Sequence, residues 1–166
     1  MNDVYHVSAG CFAVAVCAAA VGFASASGQE AEIRAALGQT AAAIEHTDTG
    51  WLLRYPVRLA FAADTIELLP AGKAMLDILV NSLRRHKRTQ IVVAVYSDAI
   101  GSLESNQQQT QARAAAIAAY LQSRQIAAPR LIARGAGESA PLSTQTTPEG
   151  RDLNRRLELT ITPLSS

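Results

Sequence analysis

Two apolar runs, Gln90–Tyr96 and Arg130–Arg134, stand on either side of one long helical segment, Asn106–Arg124. That order constrains the fold more than any other feature of the chain. The first run, Gln90-Ile91-Val92-Val93-Ala94-Val95-Tyr96, is apolar almost throughout, as expected of a strand buried on both faces. Joining two strands through a helix demands a crossover, so at least one strand pair is parallel. Upstream, Pro70-Ala71-Gly72 opens another helix, with Met75, Leu76, Leu79, Val80 and Leu83 as its apolar stripe. Trp51–Tyr55 and Val57–Phe61 read as strand on either side of Pro56, which falls at an edge or bulge. Arg156–Thr162 alternates Leu157, Leu159 and Ile161 with polar residues, predicting a half-exposed final strand. The expected fold is α/β, a two-layer sandwich of βαβαβ type. Its mixed sheet has about four strands, with helices packed on one face.

A chain of 166 residues makes one domain the default. The net charge of +1 predicts neither nucleic-acid binding nor strong attraction to a membrane surface. Aromatic residues make up only 5%, too few for base-stacking platforms. Both cysteines, Cys11 and Cys17, lie in the first apolar stretch, so removing that stretch leaves no thiol for a disulfide or a cysteine metal site.

From Val7 to Gly28 there is no charge, and Ala24-Ser25-Ala26 supplies the small-x-small pattern of a signal-peptidase site. Residues 1–26 therefore read as a secretory leader, although Asn2 and Asp3 replace the usual basic start. Two alternatives stand beside cleavage. Val7-Ser8-Ala9-Gly10 before Cys11 resembles a bacterial lipobox, which would make Cys11 a lipidation site. The uncharged run is also long enough to be kept as an anchor, since spanning needs about 20 apolar residues. All three place the remainder outside the cytoplasm.

Residues 27–50 read as a helix or linker, with Gln29–Ile44 forming an amphipathic helix on Ile33, Leu37 and Ile44. Thr47-Asp48-Thr49-Gly50 is a turn, and the binding unit is expected over 51–166. Arg84, Arg85, His86, Lys87 and Arg88 crowd the end of the Pro70 helix, where the helix dipole favours cations. Gly135-Ala136-Gly137-Glu138 reads as a tight exit, and Ser139–Gly150 as a polar loop.

Catalytic signatures are missing. His6, His46 and His86 have no second ligand at metal spacing, and no serine occupies a G-x-S-x-G elbow. Asp98 and Glu104 make a poor hydrolytic pair, because Glu104 has no apolar cover to raise its pKa.

The chemistry concentrates in one acid and one base. Asp98 ends the Gln90–Tyr96 strand, and Arg113 lies on the inner stripe of the next helix with Ile117 and Leu121. A lone buried guanidinium is costly, and Asp98 is its natural partner. The side-chain oxygen of Asn106 is placed to cap the helix start. Two readings of the pair stay open: a structural salt bridge, or two charges held apart to take a zwitterionic ligand between them.

The motifs around this pair extend into a resemblance. The chain carries Tyr96-Ser97-Asp98-Ala99-Ile100-Gly101, then Asn106 through Arg113-Ala114, then Arg134-Gly135-Ala136-Gly137-Glu138-Ser139-Ala140-Pro141 and Asn154-Arg155-Arg156-Leu157-Glu158. From about Val57 to Ile161 it resembles the OmpA-like peptidoglycan-binding domain. That module is shared by outer-membrane protein A, the peptidoglycan-associated lipoprotein and MotB-type motor proteins. The family pattern is G-H/Y-T-D-x-x-G, N-x-x-L-S-x-x-R-A, R-G-x-G-E-x-x-P and N-R-R-V-E.

The resemblance implies binding of peptidoglycan through meso-diaminopimelate, with Asp98 on the ammonium and Arg113 on the carboxylate. Asn106 matches a position that holds the ligand or its loop, and Asp64 falls where the family often has a polar contact. Tyr96, Ser97 and Arg155 are the expected supporting residues. The Asn154-Arg155-Arg156 block reads mainly as anchoring of the last strand, with one arginine near the site. Ser97 stands for the usual threonine, Gln109 for leucine, Thr110 for serine and Ala62 for aspartate, and the first loop is slightly longer.

The implied job is non-enzymatic anchoring of an envelope component to the wall in the periplasm, without a cofactor. Attachment to the outer membrane through an N-terminal lipid goes with the Cys11 alternative. The other functional reading is a structural subunit of an envelope-spanning machine, a secretion system or motor, that uses the fold for protein contacts.

Overall fold

The computed structural model describes residues 24–38, 40–144 and 146–164. The leader core and Cys11 lie outside the described residues. In chain order the elements are α1 (Ala24–Leu37), β1 (Ala43–Thr47), β2 (Gly50–Pro56), α2 (Val57–Ala60), α3 (Pro70–Arg85) and β3 (Thr89–Tyr96). There follow α4 (Leu103–Ser123), a 3₁₀ turn at Ala128–Arg130, β4 (Leu131–Gly137), α5 (Pro148–Asn154) and β5 (Arg156–Pro163). The five strands form one sheet in the order β1-β2-β5-β3-β4. β3 and β4 are parallel, as the crossover through α4 requires, and β5 pairs antiparallel with both β2 and β3.

One face of the sheet makes the core. Trp51, Leu53, Tyr55, Ile91, Val93, Val95, Leu157, Leu159 and Ile161 pack against Met75, Leu76, Leu79 and Leu83 of α3 and Ile117 and Leu121 of α4. Pro70 starts α3 at its first turn, where the missing N–H costs nothing. In α4 the small residues Ala114 and Ala118 let the helix lie close to β4. Close approach also explains Gly135: a Cβ there would stand 2.3 Å from the backbone nitrogen of Gln111.

The sheet is open on its other side, which corrects the expectation that β3 is buried on both faces. Val92 and Tyr96 are half-buried there, and of that side of β3 only the small Ala94 is fully covered, paired with Glu158 and Arg134. Tyr96 lies under the guanidinium of Arg156, 3.7 Å from the ring centroid. Arg156 and Arg54 both hydrogen-bond Glu158, at 2.8 and 3.0 Å.

Three further expectations change. The first helix ends at Leu37, and Ala43–Thr47 is a fifth strand paired with β2. Ile44 matches the helical spacing of Ile33 and Leu37, but Gly38 weakens the helix there. Thr40 then bonds back to the Leu37 carbonyl and turns the chain. Val57–Ala60 is a helical turn rather than a strand, and Phe61 after it is extended: Val57, Ala60 and Phe61 are buried together, and the Phe61 amide donates to the Val57 carbonyl. Finally, the loop from Ser139 closes with α5, capped by Thr147 and opened by Pro148. Among the described residues no helix is long and apolar enough to cross a membrane.

Candidate functional site

At the carboxyl end of β3 the chain leaves the sheet at Ser97 and Asp98, passes Gly101 at φ 102°, and enters α4. A cleft of about 530 Å³ opens there. Tyr96, Ser97, Asp98, Asn106, Arg113 and Arg155 all line it. Asp64 stands on its rim, on the loop between Phe61 and Leu68. The fold therefore gathers every residue singled out within the described chain.

Asp98 and Arg113 are not bonded to each other, so of the two readings left open the salt bridge between them does not form. Asp98 is 6% exposed, and its Oδ2 accepts two hydrogen bonds from Arg155, from Nε at 2.9 Å and Nη2 at 2.6 Å. Arg151 adds a second cation 3.9 Å from the same oxygen. Among the described residues, the other oxygen, Oδ1, accepts only the Ile100 amide at 3.3 Å. Arg155 reaches Asp98 because α5 and the first residue of β5 bring it over the end of β3, 57 positions away in sequence. Pairing at that range leaves no local signal.

Arg113 is 8% exposed yet has no ion-pair partner among the described residues. Its Nε donates to the Thr65 carbonyl at 2.9 Å, and Nη1 reaches Gln109 Oε1 at 3.4 Å. Its guanidinium lies 5.4 Å from the centroid of the Phe61 ring. Burial pulls the pKa of this guanidinium below its ordinary value, and the Asp64 carboxylate opposes the shift through space. A cation held this way keeps strong attraction for an incoming carboxylate. Phe61, Gln109 and the Thr65 carbonyl were not foreseen as its neighbours. Gln109, which stands for the family's leucine, is thus a half-buried polar partner of Arg113.

Asn106 does not cap α4. Ser102 does, its hydroxyl accepting the Ser105 amide at 3.1 Å. Asn106 lies one turn inside and donates from Nδ2 to the Asp98 carbonyl at 3.2 Å, pinning the loop that carries the acid. Thr110 donates to the Asn106 carbonyl at 2.8 Å and accepts the Gly137 amide at 3.0 Å, so a hydroxyl at this position ties α4 to the end of β4. Burial raises the pKa of the Tyr96 hydroxyl, with the Glu158 charge adding to it.

The Asn154-Arg155-Arg156 block divides its work. Asn154 Oδ1 accepts the Leu142 and Ser143 amides at 2.8 and 2.9 Å. Arg156 donates to Glu158 and to the Ala140 carbonyl. Both anchor the loop before α5, and Arg155 alone turns into the cleft.

Comparison with known proteins places this arrangement. The probable lipoprotein YiaD of Escherichia coli is 29% identical over 136 residues, covering 82% of this chain and 62% of its own length. The peptidoglycan-binding protein ArfA of Mycobacterium tuberculosis is 31% identical, covering 62% of this chain and 32% of its own. The chain thus spans between about a third and three-fifths of these relatives. Among solved structures, the cell wall anchor of the type VI secretion system from Pseudomonas aeruginosa superposes with a TM-score of 0.70 at 27% identity, covering 80% of this chain and 96% of that one. The OmpA family model matches residues 60–155, from the end of α2 to the arginine that grips Asp98, and the chain belongs to the OmpA family.

Proposed function

We propose that the chain binds peptidoglycan non-covalently, through the diaminopimelate of its stem peptide, and anchors an envelope component to the wall. The observation that carries this reading is that Asp98 and Arg113 line one cleft without bonding each other. Asp98 receives the ammonium on Oδ1, the oxygen that Arg155 leaves open. Arg113, with no ion-pair partner among the described residues, takes the carboxylate through its guanidinium fork. Asn106 and Arg155 hold Asp98 in place, Asp64 stands at the mouth, and Ser97 and Tyr96 form the floor.

The process is recognition, not catalysis. The names of ArfA, a peptidoglycan-binding protein, and of the secretion-system wall anchor support it. Residues 1–26 direct export to the periplasm, with Cys11 as the point of attachment to the outer membrane if it carries lipid. Residues 51–166 are the binding unit.

Sedimentation with purified sacculi tests the assignment. Wild type should co-pellet, while Asp98→Ala and Arg113→Ala should stay in the supernatant and remain folded. Mutants that pellet like wild type overturn the site. The engagement of Asp98 by Arg155 favours one second reading, a machine subunit that uses the fold for protein contacts. Wild type that never pellets selects it, and release of soluble muropeptides would point to a hydrolase instead.

A further inference from the structure

A second cavity, of about 390 Å³, lies on the other side of Asp98. It shares Ser97, Asp98 and Ile100 with the cleft, so the two spaces meet along one loop. Its remaining wall comes from the segment after β4, with Pro141, Thr144 and Thr146, and from Arg151 of α5.

The charges of this cavity cancel. Asp98 is neutralised by Arg155, and the other two charged groups on the lining are Arg151 and Glu138, one of each sign. No excess of either sign is left there to draw in a net charge. The walls are mixed in another way: Ile100, 59% exposed, stands with Ala99 and Pro141 as apolar surface, and Thr144 and Thr146 bring hydroxyls. Ser97 lines both spaces, and its hydroxyl is buried and without a hydrogen-bond partner among the described residues. Such a group is costly to leave unpaired.

We propose that this cavity is a second subsite, which takes a neutral, methyl-bearing amide of the same polymer beside the diaminopimelate tip. The proposal rests on the diaminopimelate reading above. A methyl group covers Ile100 and Pro141, and the amide meets the hydroxyls that Thr144 and Thr146 bring to the wall. Peptidoglycan offers this chemistry in two places, the alanyl residues of the stem and the N-acetyl groups of the glycan.

Isothermal titration of the full chain separates the cases with three probes: free meso-diaminopimelate, the sugar-free stem tetrapeptide, and the same peptide carrying N-acetylmuramic acid. Thr144 is exposed and outside the cleft, so Thr144→Trp fills the second cavity without touching Arg113. The variant should bind free diaminopimelate as wild type does. Its affinity for the tetrapeptide should fall about tenfold if an alanyl residue fills the subsite. If an acetyl group fills it, only the added affinity of the muramyl probe is lost. Thr146→Trp, on the same wall, should repeat the result. Variants that bind all three probes as wild type overturn the subsite, and so does a parallel loss of free diaminopimelate. Wild type that fails to bind free diaminopimelate overturns the diaminopimelate reading itself, and the subsite with it.

Discussion

Arg155 places two N–H groups on a single oxygen of Asp98, at 2.9 and 2.6 Å, and among the described residues the second oxygen is left to a backbone amide. The acid of the cleft is thus held by a residue from the far end of the chain. The base of the cleft, Arg113, is left with a carbonyl, an amide oxygen and an aromatic ring. Among the described residues the acid is thus held by a cation and the base has no ion-pair partner, the arrangement on which the proposed binding of a doubly charged ligand rests.

Replacing Asp98 by asparagine keeps the shape and removes the charge. Arg155 and Arg151 then lose their common counter-ion, while the Asn106 bond to the residue 98 carbonyl survives. Stability should fall by about 2 kcal/mol, the worth of a charge-assisted contact that solvent shares. Urea denaturation measures this, and sacculus binding should be lost at the same time.

Arg113→Ala should separate binding from stability. Loss of the bond to Thr65 is offset by relief from burying an unpaired cation, so stability should stay within about 1 kcal/mol of wild type. Binding to sacculi should disappear. Arg113→Lys keeps a charge without the two-point fork and should recover only part of the affinity. Thermal melts alongside sedimentation check both halves.

Gly135→Ala is a test of the α4–β4 contact. Its φ is not in the left-handed region, so alanine by itself would restrict the unfolded chain and help folding. The added methyl instead meets the backbone of Gln111 at 2.3 and 2.5 Å. Overpacking against main chain should cost about 3 kcal/mol, read as a lower midpoint in urea.

The open face of the sheet should make stability depend on acid. Burial raises the pKa of Glu158, but the hydrogen bonds and charges of Arg156 and Arg54 more than reverse that, and its carboxyl ends below the ordinary value. A depressed folded pKa means stability that is complete above the unfolded value, about 4.3, and is lost as pH falls through the folded one. Glu158→Gln should be less stable than wild type at neutral pH, and the gap should close as pH drops through that window. Denaturation midpoints from pH 7 to pH 3 measure it.

Much of the architecture was legible in residue order. The helix stripes of α3 and α4 were visible because each buries one face, and the strand–helix–strand run implied the parallel β3–β4 pair. β1 was hidden because Ile44 fits two periods at once, helical with Leu37 and strand-like opposite Leu53. Val57–Phe61 alternates like a strand, yet a helical turn over Val57–Ala60 buries Ala60 in place of Leu59.

The same division runs through the site. Local sequence determined which charges stand at the carboxyl end of β3 and on the inner stripe of α4, because periodicity sets the face on which a side chain lies. It could not determine who pairs with whom. Arg155 and the Thr65 carbonyl come from segments 57 and 48 positions away from their partners, and they meet Asp98 and Arg113 only when the sheet and its helices close. Hydrogen bonding acts over a few ångströms in space and has no memory of separation along the chain. That is why the tertiary structure alone decided that the acid is clamped and the base left open.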